Sequence, residues 1–131
     1  MAPRIDVVGL VVQDMAASIG FYRRLGFEFA AGAGTEGHVE TSLSGGLRLV
    51  LDTTEIIRSF DPGWTQPSGD HRIALAFACD SPTEVDAVYR ELVDGGYESH
   101  LAPWDAFWGQ RYASVHDPDG NAIELFAPLP T

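Results

Sequence analysis

At 131 residues the chain is sized for one small domain, or two small halves sharing a core, and a hydrophobic content of 45% is enough to bury one. Eight Lys plus Arg against 19 Asp plus Glu give a formal net charge of -11, which disfavours nucleic acid, anionic membrane surfaces and strongly anionic substrates. The lone cysteine, Cys79, excludes an internal disulfide framework and sits in an apolar run expected to bury it. No stretch is long and apolar enough to span a bilayer and no secretory leader is visible, so a cytoplasmic protein is expected.

Ile5 to Val12 is β-branched and apolar and predicts a buried strand. Asp14 then offers an N-cap, and Met15, Ile19 and Tyr22 recur at helical spacing up to Gly26, a natural stop. Phe27 to Ala30, His38 to Leu43 and Leu47 to Asp52 predict three further strands, the last two joined by the turn Ser44-Gly45-Gly46. Thr53 to Phe60 predicts a short helix. Residues 61–70, with Pro62, Gly63, Pro67 and Gly69, form the linker, and Trp64 within it is expected to be anchored to the surface.

The pattern then restarts. Ile73 to Cys79 predicts a strand. Ser81-Pro82-Thr83-Glu84 combines an N-cap serine, proline at the first helical position and glutamate three residues after the cap, a capping box. Val85, Val88, Leu92 and Val93 supply the apolar helix face, which Gly95-Gly96 ends. Tyr97 to Leu101 predicts a strand, followed by an aromatic loop and a hairpin turning on Asp117-Pro118-Asp119-Gly120-Asn121. Residues match as well as order: Gly9 to Asp14 with Leu75 to Asp80, and Leu25-Gly26-Phe27-Glu28 with Gly95-Gly96-Tyr97-Glu98. The expectation is an α+β chain of two tandem βαβββ modules, about 1–60 and 71–131, in a single domain over 1–131, with curved sheets around a ligand cleft.

These halves, with Phe21-Tyr22-Arg23-Arg24-Leu25-Gly26-Phe27 and Asp117-Pro118-Asp119-Gly120-Asn121 followed by Ile123-Glu124-Leu125, resemble the vicinal oxygen chelate superfamily (glyoxalase, bleomycin resistance, dioxygenase). The resemblance implies the glyoxalase-like fold and leaves function open, since the superfamily holds both metalloenzymes and antibiotic-binding proteins. In the metalloenzymes each half gives ligands from its first and last strands. The positions that correspond here are Val7, Val50, Ile73 and Glu124. Three are aliphatic and donate no lone pair, so no metal and no cofactor are expected, even if a register error brings in His71. Ser114 and His116 share a strand face but lack a third partner for a hydrolase triad, so no catalytic residue is assigned. Glu124 is left as a general base, a ligand contact or a surface residue, and reads as a stranded family position.

The segment from Pro103 to Tyr112, together with His38, Gly45 to Leu49, Arg58 to Pro62 and Trp64, resembles the antibiotic-binding branch, closest to mitomycin-resistance-type proteins. That resemblance implies a flat drug held between aromatic side chains, with Trp108 and His38 as the best pair and Trp104 beside them. Gln110, Tyr112 and Ser114 share the strand parity of Trp108 and are candidates for orienting hydrogen bonds. The expected function is non-catalytic sequestration of a planar aromatic or quinone-like natural product, in a homodimer that binds neither nucleic acid nor membrane. The alternative is a glyoxalase-like lyase or isomerase.

Overall fold

Alternation in the sequence becomes two separate sheets in the computed structural model, which describes residues 2–131. The chain divides into two compact units, residues 1–68 and 69–131, each taken here by itself. In the first, β1 (Val7–Val12) runs parallel to β3 (Arg48–Thr53), and β2 (His38–Ser42) runs antiparallel to β3, giving the order β1-β3-β2. Helix α1 (Met15–Arg24) begins where the Asp14 carboxylate accepts the Ala17 amide at 3.1 Å. It buries Met15, Ser18, Ile19 and Tyr22, the i, i+3, i+4, i+7 set of one helix face, with Phe21 beside them, and ends before Gly26 at φ 95°. Leu49 and Leu51 of β3 and Val39 of β2 point to the same buried side of the sheet, because cross-strand partners share a face. Helix α2 (Thr54–Phe60) follows, capped by the Thr53 hydroxyl. Arg58 anchors the linker, its guanidinium lying 5.4 Å from the Trp64 ring centroid.

Two expectations change here. Phe27 to Ala30, expected as a strand, forms no ladder. The Glu28 carbonyl accepts the Thr41 hydroxyl at 2.7 Å and the Phe29 carbonyl accepts from Arg23, so side chains satisfy a backbone that a neighbouring strand would otherwise pair. The opening strand also starts at Val7; Ile5 is exposed.

In the second unit, β4 (Ala74–Ala78), α3 (Pro82–Asp94), β5 (Ser99–Ala106), β6 (Gln110–His116) and β7 (Ala122–Pro128) give the sheet order β4-β7-β6-β5, with β4 parallel to β7 and the rest antiparallel. The Ser81 hydroxyl accepts the Glu84 amide at 3.1 Å, the N-cap half of the expected box. Val85 and Leu92 of α3 are buried, as are Ala113 and Val115 of β6 and Ile123 and Leu125 of β7, the side of the sheet on which the helix lies. Strand β5 is longer than expected and carries Trp104, because the tight turn lies at 107–109 with Gly109 at φ 92°. It contains two register shifts, between Ser99 and Leu101 and between Leu101 and Trp104. Cys79 is half-buried rather than fully enclosed, and burial, before nearby Glu84 and Asp80, pushes its thiol pKa up.

The β6–β7 turn is built on Asp117, which is buried. Its carboxylate accepts the amides of Asp119 and Asn121 at 2.9 and 2.8 Å and the Asn121 side-chain amide at 2.8 Å. Asp117→Ala should therefore cost about 1–3 kcal/mol, the range for stranding buried donors. A lowered urea midpoint with unchanged slope is the expected readout. No helix among the described residues is long and apolar enough to cross a membrane.

Candidate functional site

Parity decides what each side of the second sheet presents. The ladder pairs Gln110 with Pro128, Tyr112 with Phe126, Ser114 with Glu124 and His116 with Ala122, and Trp104 pairs with Tyr112. These residues share the side opposite the one that packs on α3. On that side Trp108, from the turn, meets Trp104 at 5.4 Å and Tyr112 at 5.3 Å between ring centroids, and Trp104 meets Tyr112 at 6.5 Å. Every contact is edge to face, the arrangement favoured by ring quadrupoles. Trp108 and Trp104 remain 47% and 38% exposed, so part of each indole is open to solvent.

The orientation of Trp108 is fixed by Gln110. The indole N–H donates to the Gln110 carbonyl oxygen at 2.8 Å. Gln110, expected to orient a ligand, thus spends its acceptor on orienting the indole. Burial first, then the nearby Glu124 carboxylate, raises the Tyr112 phenol pKa to about 12, so Tyr112 stays protonated at neutral pH. Ser114 faces the same way but is only 2% exposed, which leaves almost no surface for a ligand. Further along this face His100 stacks on His116 at 5.0 Å, and His116 Nδ1 is bound to Glu98.

His38 belongs to the first unit. Its Nδ1 lies 2.6 Å from Asp52 and its Nε2 2.9 Å from Glu40. A carboxylate only accepts, so these contacts favour the protonated ring, which donates from both nitrogens. The hydrogen bond to Glu40, then that to Asp52, raises the His38 pKa above its usual range. Glu40 is in turn held low by His38 and then by Arg48, which it contacts at 2.6 Å. The sequence reading missed both carboxylates. The signal was present: His38 and Glu40 are two apart on β2, and Asp52 is the cross-strand partner of His38. NMR titration of the His38 ring should show a midpoint above 6.5 that falls in Glu40→Gln. The sign follows from the raised folded-state pKa. The stabilisation is complete below the unfolded value and is lost as pH rises through the folded one. It should be modest and weakened by salt, because the group is half exposed.

The metal positions of the fold do not fit an ion. Val7 and Val50 point to one side of the first sheet and Ile73 lies just before β4, and none of them carries a donor atom, leaving Glu124 as the single ligand. Among the described residues no three His, Cys, Asp or Glu side chains are grouped to hold a metal. On the α3 side of the second unit lies an open groove of about 360 Å³ lined by Tyr89, Arg90 and Arg111 among others. Arg111 there is already held by Asp86 at 2.9 and 3.2 Å and by Asp105 at 3.0 Å, and the groove shares no residue with the aromatic wall.

The sheet pairings, the duplicated order and the turn chemistry agree with the family comparison. A model of the Glyoxalase/Bleomycin resistance protein/Dioxygenase superfamily matches residues 4–125, and the chain belongs to that superfamily. A glyoxalase/bleomycin resistance protein/dioxygenase from Nocardioides is 29% identical, with 98% of this chain and 85% of that chain covered and a TM-score of 0.75. A family enzyme from Burkholderia phytofirmans PsJN shares the fold at 19% identity and TM-score 0.81, covering 95% and 98% of the two chains. A glyoxalase-related enzyme from Fulvimarina pelagi does so at 23% identity and TM-score 0.80, covering 96% and 88%. No curated protein compared with the chain matches it.

Proposed function

We propose that this chain binds and sequesters a planar aromatic or quinone-like small molecule without transforming it, as a self-resistance or carrier protein in an antibiotic-producing organism. The observation that carries the reading is the aromatic wall: Trp104, Trp108 and Tyr112 on one side of the second sheet, with both indoles partly exposed and the Trp108 ring held by the Gln110 side chain. Rigid aromatic surface binds flat ligands with little ordering cost. His38, half-exposed in the first unit and held between Glu40 and Asp52, is the further candidate contact. The aliphatic side chains at Val7, Val50 and Ile73 give the superfamily's Lewis-acid chemistry no footing. Tight binding is sufficient for protection by mass action. A homodimer is part of the same proposal, and sedimentation of the purified chain tests it.

The deciding experiment titrates tryptophan fluorescence with mitomycin-type quinones, quinoxaline-bearing peptides and bleomycin, then recovers each ligand for mass analysis. Saturable quenching with unchanged ligand mass is expected. Quenching by none of the compounds, or a product of altered mass, overturns the reading.

A further inference from the structure

Glu124 is the one carboxylate that the sheet register sets among the aromatic side chains of the second unit. It pairs across the ladder with Ser114, one step from the Tyr112–Phe126 pair. We propose that Glu124 selects the ligand, by accepting a hydrogen bond from a protonated amine carried on the planar ring system. The inference rests on the aromatic-wall reading and adds to it the class of substituent that the ligand carries.

Three observations converge. By ladder parity Glu124 faces the same side as Tyr112 and Phe126, the next pair along the aromatic wall. A carboxylate there has two oxygens and about four lone-pair sites to offer a donor. Second, none of the strand residues facing this way is an arginine. Arg111 projects from the opposite side of β6, where Asp86 and Asp105 bind it. His116, the nearest other ionisable group along β6, is bound at Nδ1 by Glu98. Third, Glu124 is half-buried beside aromatic rings, where charge-assisted hydrogen bonds are stronger than in open water. An anionic substituent there meets a carboxylate with no arginine on the strand positions of its face, whereas an ammonium meets an acceptor.

The test uses three flat probes with one ring system: 9-(aminomethyl)acridine, protonated on its amine, as the cation, acridine as the neutral parent and acridine-9-carboxylate as the anion. Affinities are read by calorimetry at one low salt concentration. The cation should bind about tenfold or more tighter than acridine, the factor for one charge-assisted hydrogen bond, and the anion most weakly. In Glu124→Gln the cation and neutral parent should come within about twofold of each other, with acridine affinity unchanged. Tyr112→Phe should keep the preference, and so should Asp94→Asn, which removes a negative charge from α3.

Equal binding of cation and parent by the wild type overturns the proposal and leaves the aromatic-wall reading standing. So does a preference that survives Glu124→Gln or disappears in Tyr112→Phe or Asp94→Asn. If none of the three acridines binds, and none of the natural products quenches, the wall reading and this inference fall together.

Discussion

Trp108→Ala should raise the dissociation constant for a planar ligand about five- to 150-fold, the effect of removing one stacking partner worth roughly 1–3 kcal/mol. The fold should survive. Trp108 lies in the β5–β6 turn, is nearly half exposed, and meets Trp104, Tyr112 and Phe107 in edge-to-face contacts. Surface substitutions of this kind usually change stability by about 0.5 kcal/mol or less, so the melting curve should scarcely move. Trp108→Phe should recover part of the affinity, because a smaller face still stacks. Gln110→Ala should cost only a few-fold, since it frees the indole to rotate without removing it. Calorimetric titration of the four proteins with one ligand gives the order directly. If Gln110→Ala equals Trp108→Ala, the glutamine itself touches the ligand.

The largest stability effect is expected at Phe21. This side chain is fully buried on α1 and meets the Tyr22 ring edge to face at 4.9 Å. Phe21→Ala removes that contact and leaves a cavity in a close-packed interior, which typically costs about 3–5 kcal/mol. Native domains are stable by only about 5–15 kcal/mol, so the variant should be close to unfolded at 37 °C or poorly recovered. Equilibrium urea unfolding at 10–20 °C, where stability is usually near its maximum, should still resolve the difference. Phe21→Leu should cost appreciably less, because much of the volume is kept. If the two variants lose the same amount, the ring contact with Tyr22 matters more than the filled volume.

Much of the fold was readable because periodicity and turn chemistry agree locally with what the sheets require. Met15, Ile19 and Tyr22 lie on one helical face, Gly26 takes positive φ, and Asp117 to Asn121 can hardly be anything but a turn once Asp117 is buried. Phe27 to Ala30 misled because a short apolar segment between glycines looks the same whether strands or side chains satisfy its backbone. Here side chains do, from Arg23 and Thr41. The aromatic wall was legible for a similar reason. Gln110, Tyr112 and Ser114 alternate, so their shared face follows from the period of two.

The burial of Ser114 did not follow, because burial depends on what the neighbouring strands carry. Nor did the clamp on His38, since its Asp52 partner is fourteen positions away and is found only once the β2–β3 register is known. Nor did the place of Glu124, which follows from the β6–β7 register and sets that carboxylate on the same face as the aromatic wall.

The two irregularities in β5 bear on how such chains can change length over evolution. From Trp104 back to Leu101, β5 advances three residues while β6 advances two, and from Leu101 to Ser99 it advances two against one. Each irregularity inserts a single unpaired residue, and a single residue reverses every side chain beyond it. Two together restore the original phase. Loss of one residue between Ser99 and Trp104 would put the strand before it out of phase with the strand after it. Loss of two would leave both in phase and straighten the edge. Viable length variants of this strand should therefore differ by even numbers, and the double insertion carries a bend in the sheet margin at no cost to the facing of Trp104.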